Sequence, residues 1–109
     1  SSSNIIVLES MINKKDLIDD ITFKEIYDDI KEECLNYGNV INVIIPRPST
    51  KIENEYPNEI GKVYVEFETN INALNAKDNL QGRLFDKTPV KCNIFDDKNH
   101  YNIIYNLMS

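Results

Sequence analysis

The order in which strand-like and helix-like segments alternate is the feature that most constrains the fold of this chain. Four segments carry the β-branched or alternating pattern of strands: residues 4–10, 40–45, 61–67 and 90–95. In the third segment, Val63, Val65 and Phe67 alternate with more polar residues, a period typical of a strand with one buried face. The sequence therefore predicts four short strands.

Two helical segments separate these strands. The first, residues 23–37, is predicted to begin after Thr22 as N-cap, where Glu25 completes a capping box, and to end at Gly38. Its apolar face has helical spacing and contains Phe23, Ile26, Tyr27, Ile30 and Cys34. A second helix is predicted over residues 71–80, and apolar residues recur at helical spacing in the tail.

The resulting order, β-α-β-β-α-β, predicts an α+β fold. Right-handed crossovers give the ferredoxin-like arrangement, a four-stranded antiparallel sheet with both helices on one face, which is the shape of an RNA-recognition motif (RRM). The domain is expected to span residues 5–96, after a flexible lead-in at 1–4 and before a short helical extension at 97–109. Residues 11–21 are a long connection with a helical turn, and residues 49–59 are a mobile loop.

The RNA-binding chemistry of such a domain is largely missing. RRMs stack bases on aromatic residues of the sheet. In the third strand Lys62 occupies the position of one stacking aromatic, and in the first strand Val7 occupies that of another, so Tyr64 alone remains. The net charge of −6 also opposes binding to phosphates. Direct RNA binding is therefore disfavoured.

Carboxylates are concentrated on the first helix. Glu25, Asp29 and Glu33 follow one another at intervals of four, so they lie along one side of the helix and repel each other. Because this repulsion lowers the stability of the helix, the arrangement suggests a function, the attraction of a basic partner. The alternative is a solvated face that only keeps the domain in solution.

A cation and an aromatic ring follow the second helix. Arg83 and Phe85 stand just before the last strand. Together with the carboxylates they form a plausible seat for a peptide that carries its own aromatic ring and positive charge. The alternatives are that Phe85 is a core residue and Arg83 an ordinary surface residue.

No pattern in the chain indicates catalysis. The sequence contains no Gly-rich phosphate loop, no His/Cys metal cluster and no Ser-His-Asp set. Cys34 and Cys92 are predicted to be buried free thiols, and His100 a surface residue. We therefore expect no enzyme activity, no cofactor and no metal.

From residue 5 to about 95, the chain resembles the U2 auxiliary factor homology motif (UHM), an RRM-like family that binds peptides. The segments that carry the resemblance are Leu17-Ile18-Asp19-Asp20, Glu33-Cys34-Leu35-Asn36-Tyr37-Gly38, Ile45-Pro46-Arg47-Pro48, Gly61-Lys62, Val65-Glu66-Phe67 and Gly82-Arg83-Leu84-Phe85. The Arg-x-Phe tripeptide alone is weak evidence, but it coincides with an acidic helix and degenerate stacking motifs.

The resemblance implies a ligand and a site. Members of the family bind a Trp preceded by several Lys or Arg, in a pocket between the two helices and the Arg-x-Phe loop. Carried over by position, Phe85 would stack on the Trp, and Arg83 would pair with Glu33 and cover the other side of the indole. Asp29, with Glu25 further out, would attract the basic residues of the ligand.

The resemblance also implies a cellular role. The domain would act in the nucleus during recognition of the 3′ splice site, with the branch-point-binding protein and a scaffold subunit of the U2 particle as partners. The alternative function is weak binding of single-stranded RNA through the sheet, by Tyr64, Lys62 and Arg47.

Overall fold

The computed structural model describes residues 2–85 and 87–108, without the side chain of Thr50. Its strands are β1 (Ile5–Glu9), β2 (Val40–Ile44), β3 (Val63–Phe67), β4 (Leu84–Phe85), β5 (Thr88–Pro89) and β6 (Lys91–Ile94). Its helices are α1 (Asp20–Leu35), α2 (Thr50–Glu55), α3 (Asn70–Leu80) and α4 (Lys98–Met108), with 3₁₀ turns at Lys14–Leu17 and Pro57–Glu59.

Strands β2, β3, β1 and β6 form one antiparallel sheet in that order. Strand β1 lies in the centre, with Val7 opposite Tyr64 of β3 and Asn93 of β6. Strands β4 and β5 form a separate small hairpin. The predicted α+β fold and the short C-terminal helix are confirmed.

Both faces of the sheet are covered. On one face, Ile6 and Leu8 belong to a core that includes α1 and α3, while on the other Ile5 and Val7 belong to a second core that includes α4. This explains why residues 5–8 are apolar without alternation, since a strand buried on both sides has no solvent face.

Helix α1 begins earlier than the sequence predicts. Its N-cap is Asp19, whose Oδ2 accepts hydrogen bonds from the backbone nitrogen and the hydroxyl of Thr22, both at 2.8 Å. The prediction of Thr22 as N-cap is therefore wrong. An Asp caps a helix at least as well as a Thr, and starting at Asp19 adds almost one turn.

The predicted mobile loop at residues 49–59 is also wrong, because this segment contains α2 and a 3₁₀ turn. Ser49 caps α2 by accepting a hydrogen bond from the backbone nitrogen of Ile52, and the Ile52 side chain is fully buried. Ile52 packs α2 against the main core, but a single buried residue leaves no helical pattern in the sequence.

Strand β2 departs from simple alternation at Ile41. The register of β2 on β3 shifts between Val40 and Asn42, and Ile41 is 53% exposed. Such a bulge leaves one residue outside the ladder. Ile41 therefore lies on the solvent side, although strict alternation along the strand would place it on the same face as Val43.

Candidate functional site

The β4–β5 hairpin sets the positions of Arg83 and Phe85. Gly82 has a φ of +80°, which turns the chain out of α3. Arg83 is then tied by its backbone to Leu80 (3.0 Å) and Val90 (2.8 Å). Residues two apart in an extended segment project to the same side. This places Arg83 and Phe85 together, with Leu84 on the opposite side, where it is 65% exposed.

Arg83, Glu33 and Tyr37 form a hydrogen-bonded cluster at the end of α1. Arg83 Nη1 donates to Glu33 Oε2 at 2.8 Å, and the Tyr37 hydroxyl donates to the same oxygen at 2.6 Å. The bond from Tyr37, followed by that from Arg83, holds the pKa of Glu33 below its ordinary value. Burial, reinforced by Glu33, raises the pKa of Tyr37 to about 12. Tyr37 is not among the predicted site residues, although its spacing of four from Glu33 could have indicated it.

The other two predicted carboxylates of α1, Asp29 and Glu25, have different surroundings from Glu33. Asp29 is exposed and lines a cleft beside the hairpin. Glu25 is also exposed, one turn nearer the helix N-terminus, and does not line that cleft. Of the three carboxylates, one is therefore bound to Arg83, one lines the cleft and one lies outside it.

The cleft has a volume of about 700 Å³. It lies between α1, the connection from β1 to α1, and the hairpin, and Phe85 packs against the core at its wall. Its lining residues are Ser10, Met11, Ile12, Asn13, Asp16, Thr22, Ile26, Asp29, Ile30, Phe85 and Thr88. The resemblance implies a pocket bounded by the two helices that separate the strands, α1 and α3. The lining of this cleft, however, includes no residue of α3.

Sequence reasoning missed the contribution of the β1–α1 connection to this cleft. Met11 and Ile12 supply apolar wall, and Asn13 and Asp16 supply polar groups. The available signal was the adjacent apolar pair Met11-Ile12 directly after the first strand. Asp16 adds a second carboxylate to the lining, from the connection rather than from α1.

The other face of the sheet is closed by α4. Tyr64, the remaining stacking aromatic, has no exposed surface. Its ring lies edge-on to Phe95 (5.0 Å between centroids) and to Tyr101 of α4 (6.1 Å). The surface on which an RRM stacks bases is thus occupied by the protein's own helix.

A buried carboxylate joins α4 to the sheet. Glu59 Oε1 accepts from the Tyr64 hydroxyl at 2.5 Å and lies 2.7 Å from His100 Nε2, while Glu59 Oε2 lies 2.9 Å from Lys62 Nζ. Burial acts to raise the pKa of Glu59, but the bonds from Tyr64, Lys62 and His100 together lower it. The prediction of His100 as a surface residue is wrong, because its side chain is half-buried against Glu59.

The cysteines match their prediction. Cys34 and Cys92 are buried and free, and burial raises the pKa of each thiol to about 12. Within residues 2–85 and 87–108, no group of His, Cys, Asp and Glu is arranged to hold a metal ion. In the same part of the chain no helix has the length and apolar character to cross a membrane.

Comparison with known proteins shows that the chain is similar in sequence to parts of splicing factors. No family model matches the chain. It is 29% identical over 92% of its length to the B form of the splicing factor U2af large subunit from Nicotiana plumbaginifolia, and 33% identical over 81% to the B form from Oryza sativa subsp. japonica. It is 35% identical over 86% to poly(U)-binding-splicing factor hfp of Drosophila melanogaster. The chain spans only 14–17% of these relatives.

Solved structures agree on the fold. The RRM of RNA15 superposes with a TM-score of 0.59 at 18% identity, covering 91% of this chain and 97% of that one. The Rna15 RRM with bound GU RNA gives 0.60 at 21% identity, covering 95% and 98%. At these identities the likeness concerns the RRM fold alone, which is confirmed.

Proposed function

The chain belongs to the family of the C-terminal, RRM-like part of the U2af large subunits, and from this premise we propose that it is a peptide-binding module of pre-mRNA splicing. Its ligand is a linear segment with one Trp preceded by several Lys or Arg. The observation that carries the proposal is that Arg83 pairs with Glu33, while Phe85, two residues further along the chain, lines an open cleft together with Asp29.

Phe85 supplies the aromatic surface for the ligand. It is half-buried at the wall of the cleft, so one side of the ring is supported by the core. An indole that stacks on it gains about 0.5–1.5 kcal/mol beyond the burial of apolar area. Arg83 covers the other side of the indole, since a guanidinium stacks well on aromatic faces, and Glu33 holds it there.

The acidic residues recruit the basic part of the ligand. Asp29 contacts its Lys or Arg side chains directly, and Glu25 contributes at longer range. Exposed ion pairs of this kind are worth about 0–1 kcal/mol each. The aromatic residue is therefore the anchor, and the charges mainly accelerate encounter and select basic ligands.

The partners follow from the family. The ligand segments belong to other splicing factors, namely the branch-point-binding protein and a scaffold subunit of the U2 particle, which meet this domain in the nucleus during 3′ splice-site recognition. Residues 5–96 bind the peptide, and α4 covers the sheet. The domain performs no catalysis and needs no cofactor.

RNA binding through the sheet is the competing function. A bound base would need Tyr64, which α4 buries, and Lys62, which is engaged with Glu59. It would also have to displace Tyr101 and Ile104 from the apolar cluster. These contacts favour the peptide over RNA as the ligand.

The proposal is tested by Phe85→Ala, with Leu84→Ala as the matched control on the opposite side of the same strand. Affinity for a basic Trp peptide, measured by calorimetry, should fall about 30-fold or more for Phe85→Ala, as for an interface hot spot. It should be unchanged for Leu84→Ala. Circular dichroism checks that both variants fold. If a folded Phe85→Ala domain binds the peptide with unaltered affinity, the proposal is wrong.

A further inference from the structure

Tyr37 lies next to the Arg83–Glu33 pair of the proposed site. It follows the last residue of α1 by two positions, and its ring packs against the main core. Its hydroxyl reaches back one turn to Glu33. The ring is thus held by apolar packing while its polar end faces the Arg83–Glu33 pair.

The geometry of this cluster is unusual for a surface ion pair. One carboxylate oxygen, Glu33 Oε2, accepts from both Tyr37 (2.6 Å) and Arg83 (2.8 Å). The Arg83 Nη1 nitrogen also lies 3.5 Å from the Tyr37 hydroxyl. An isolated Glu–Arg pair on a surface must restrict two flexible side chains and gains little. Here the third group is a rigid ring with few rotatable bonds, so Glu33 is already restricted.

We propose that Tyr37 is a positioning residue of the peptide site, whose hydroxyl fixes the Glu33 carboxylate so that Arg83 lies beside Phe85 before the peptide arrives. This inference rests on the proposed function. Its physical basis is preorganisation, because side chains ordered in the free domain need not be ordered on binding.

A tyrosine suits this role better than a charged donor. The pKa of Tyr37, about 12, keeps its hydroxyl protonated at physiological pH, so it remains a neutral donor. The carboxylate of Glu33 and the guanidinium of Arg83 then balance each other's charge. A lysine at this position would compete with Arg83 for the carboxylate and add a positive charge that repels a basic ligand.

The test compares Tyr37→Phe with Tyr27→Phe, which removes a hydroxyl from another half-buried tyrosine, in the middle of α1. The first measurement is the titration of the Glu33 carboxyl carbon by NMR in the free domain. The second is affinity for a synthetic peptide with several Lys and Arg before one Trp, as a function of pH.

Tyr37→Phe should raise the Glu33 pKa and weaken the binding of the peptide about three- to tenfold. As the pH is lowered, the affinity of the Tyr37→Phe variant for the peptide should begin to fall at a higher pH than the affinity of the wild type, because its Glu33 takes up a proton at a higher pH. Tyr27→Phe should match the wild type in both measurements.

Two results overturn the inference alone: an unchanged Glu33 pKa in Tyr37→Phe, or a raised Glu33 pKa with wild-type peptide affinity at every pH. A wild-type domain that fails to bind the peptide overturns the proposed function, and this inference with it. The two failures are therefore distinguishable.

Discussion

Glu59 shows how one residue can hold two layers of this molecule together. It is 4% exposed, and its carboxylate contacts Tyr64 of the sheet, His100 of α4 and Lys62. A buried charge is tolerated only when it is paired and hydrogen-bonded. These contacts satisfy that requirement and make Glu59 a link between the sheet and its cover.

The pH dependence of Glu59 follows from the direction of its pKa shift. Its pKa is lower in the folded protein than the ordinary 4.5, so the unfolded chain binds its proton more readily. The stabilisation is complete above that ordinary value and is lost as the pH falls through the folded-state pKa. Glu59→Gln should lower the free energy of unfolding at pH 7 by about 1–3 kcal/mol.

Urea unfolding checks this prediction, with exposed Glu32→Gln as control. The difference in the free energy of unfolding between the wild type and Glu59→Gln should become smaller as the pH falls below 4.5. A difference that stays constant across that range would mean that the Glu59 charge does not stabilise the fold.

Single residues were predictable where their partners were local or their spacing was regular. Arg83 and Phe85 are two apart in an extended segment, which is enough to place them on one side. His100 could not be placed, because its partner Glu59 is 41 positions away. Tyr37 was within reach of sequence reasoning, since it is four residues from Glu33, but spacing does not reveal which way a hydroxyl points.

At the scale of elements, α4 decides which face of the sheet is available. Tyr101 and Ile104 are buried in the cluster that contains Tyr64, whereas Ile103, on the outer side of α4, is 43% exposed. The helix therefore packs against this face of the sheet and leaves Tyr64 without exposed surface.

Substitutions in α4 separate these two sides of the helix. Ile104→Ala should lower the free energy of unfolding by about 2–5 kcal/mol, since it leaves a cavity in a packed core. Ile103→Ala should change it by no more than about 0.5 kcal/mol. Equal effects of the two variants in urea unfolding would contradict the packing of α4 described above.

The main elements were predictable from periodicity, and the short ones were not. The strands and the helices α1, α3 and α4 carry repeated apolar positions. Helix α2 has six residues and one buried anchor, Ile52, so no period could indicate it. The start of α1 was misplaced because Asp19 and Thr22 are both acceptable caps.

At the scale of the whole molecule, both sheet faces are covered, and the candidate site is the cleft between α1 and the hairpin. The net charge of −6 gives this surface an attractive field for basic segments. Such a field is screened over about 10 Å at 0.1 M salt. Salt should therefore slow the association of a basic peptide more than it accelerates dissociation.

Stopped-flow association kinetics test this electrostatic prediction. The association rate should fall about tenfold between low and high salt. Asp29→Asn, at the cleft, should reduce the rate and its salt dependence more than Asp28→Asn, whose carboxylate is paired with Lys24. Identical behaviour of the two variants would show that only the total charge matters.

The most direct test of peptide binding uses the absence of Trp from this chain. In a mixture with a basic peptide that carries one Trp, all Trp fluorescence comes from the ligand. Titration with the domain should shift that emission to the blue and saturate, and a peptide with Ala in place of Trp should fail to bind by calorimetry. If the Trp emission does not shift even at high domain concentration, the Trp stays in water, and this result would contradict peptide binding.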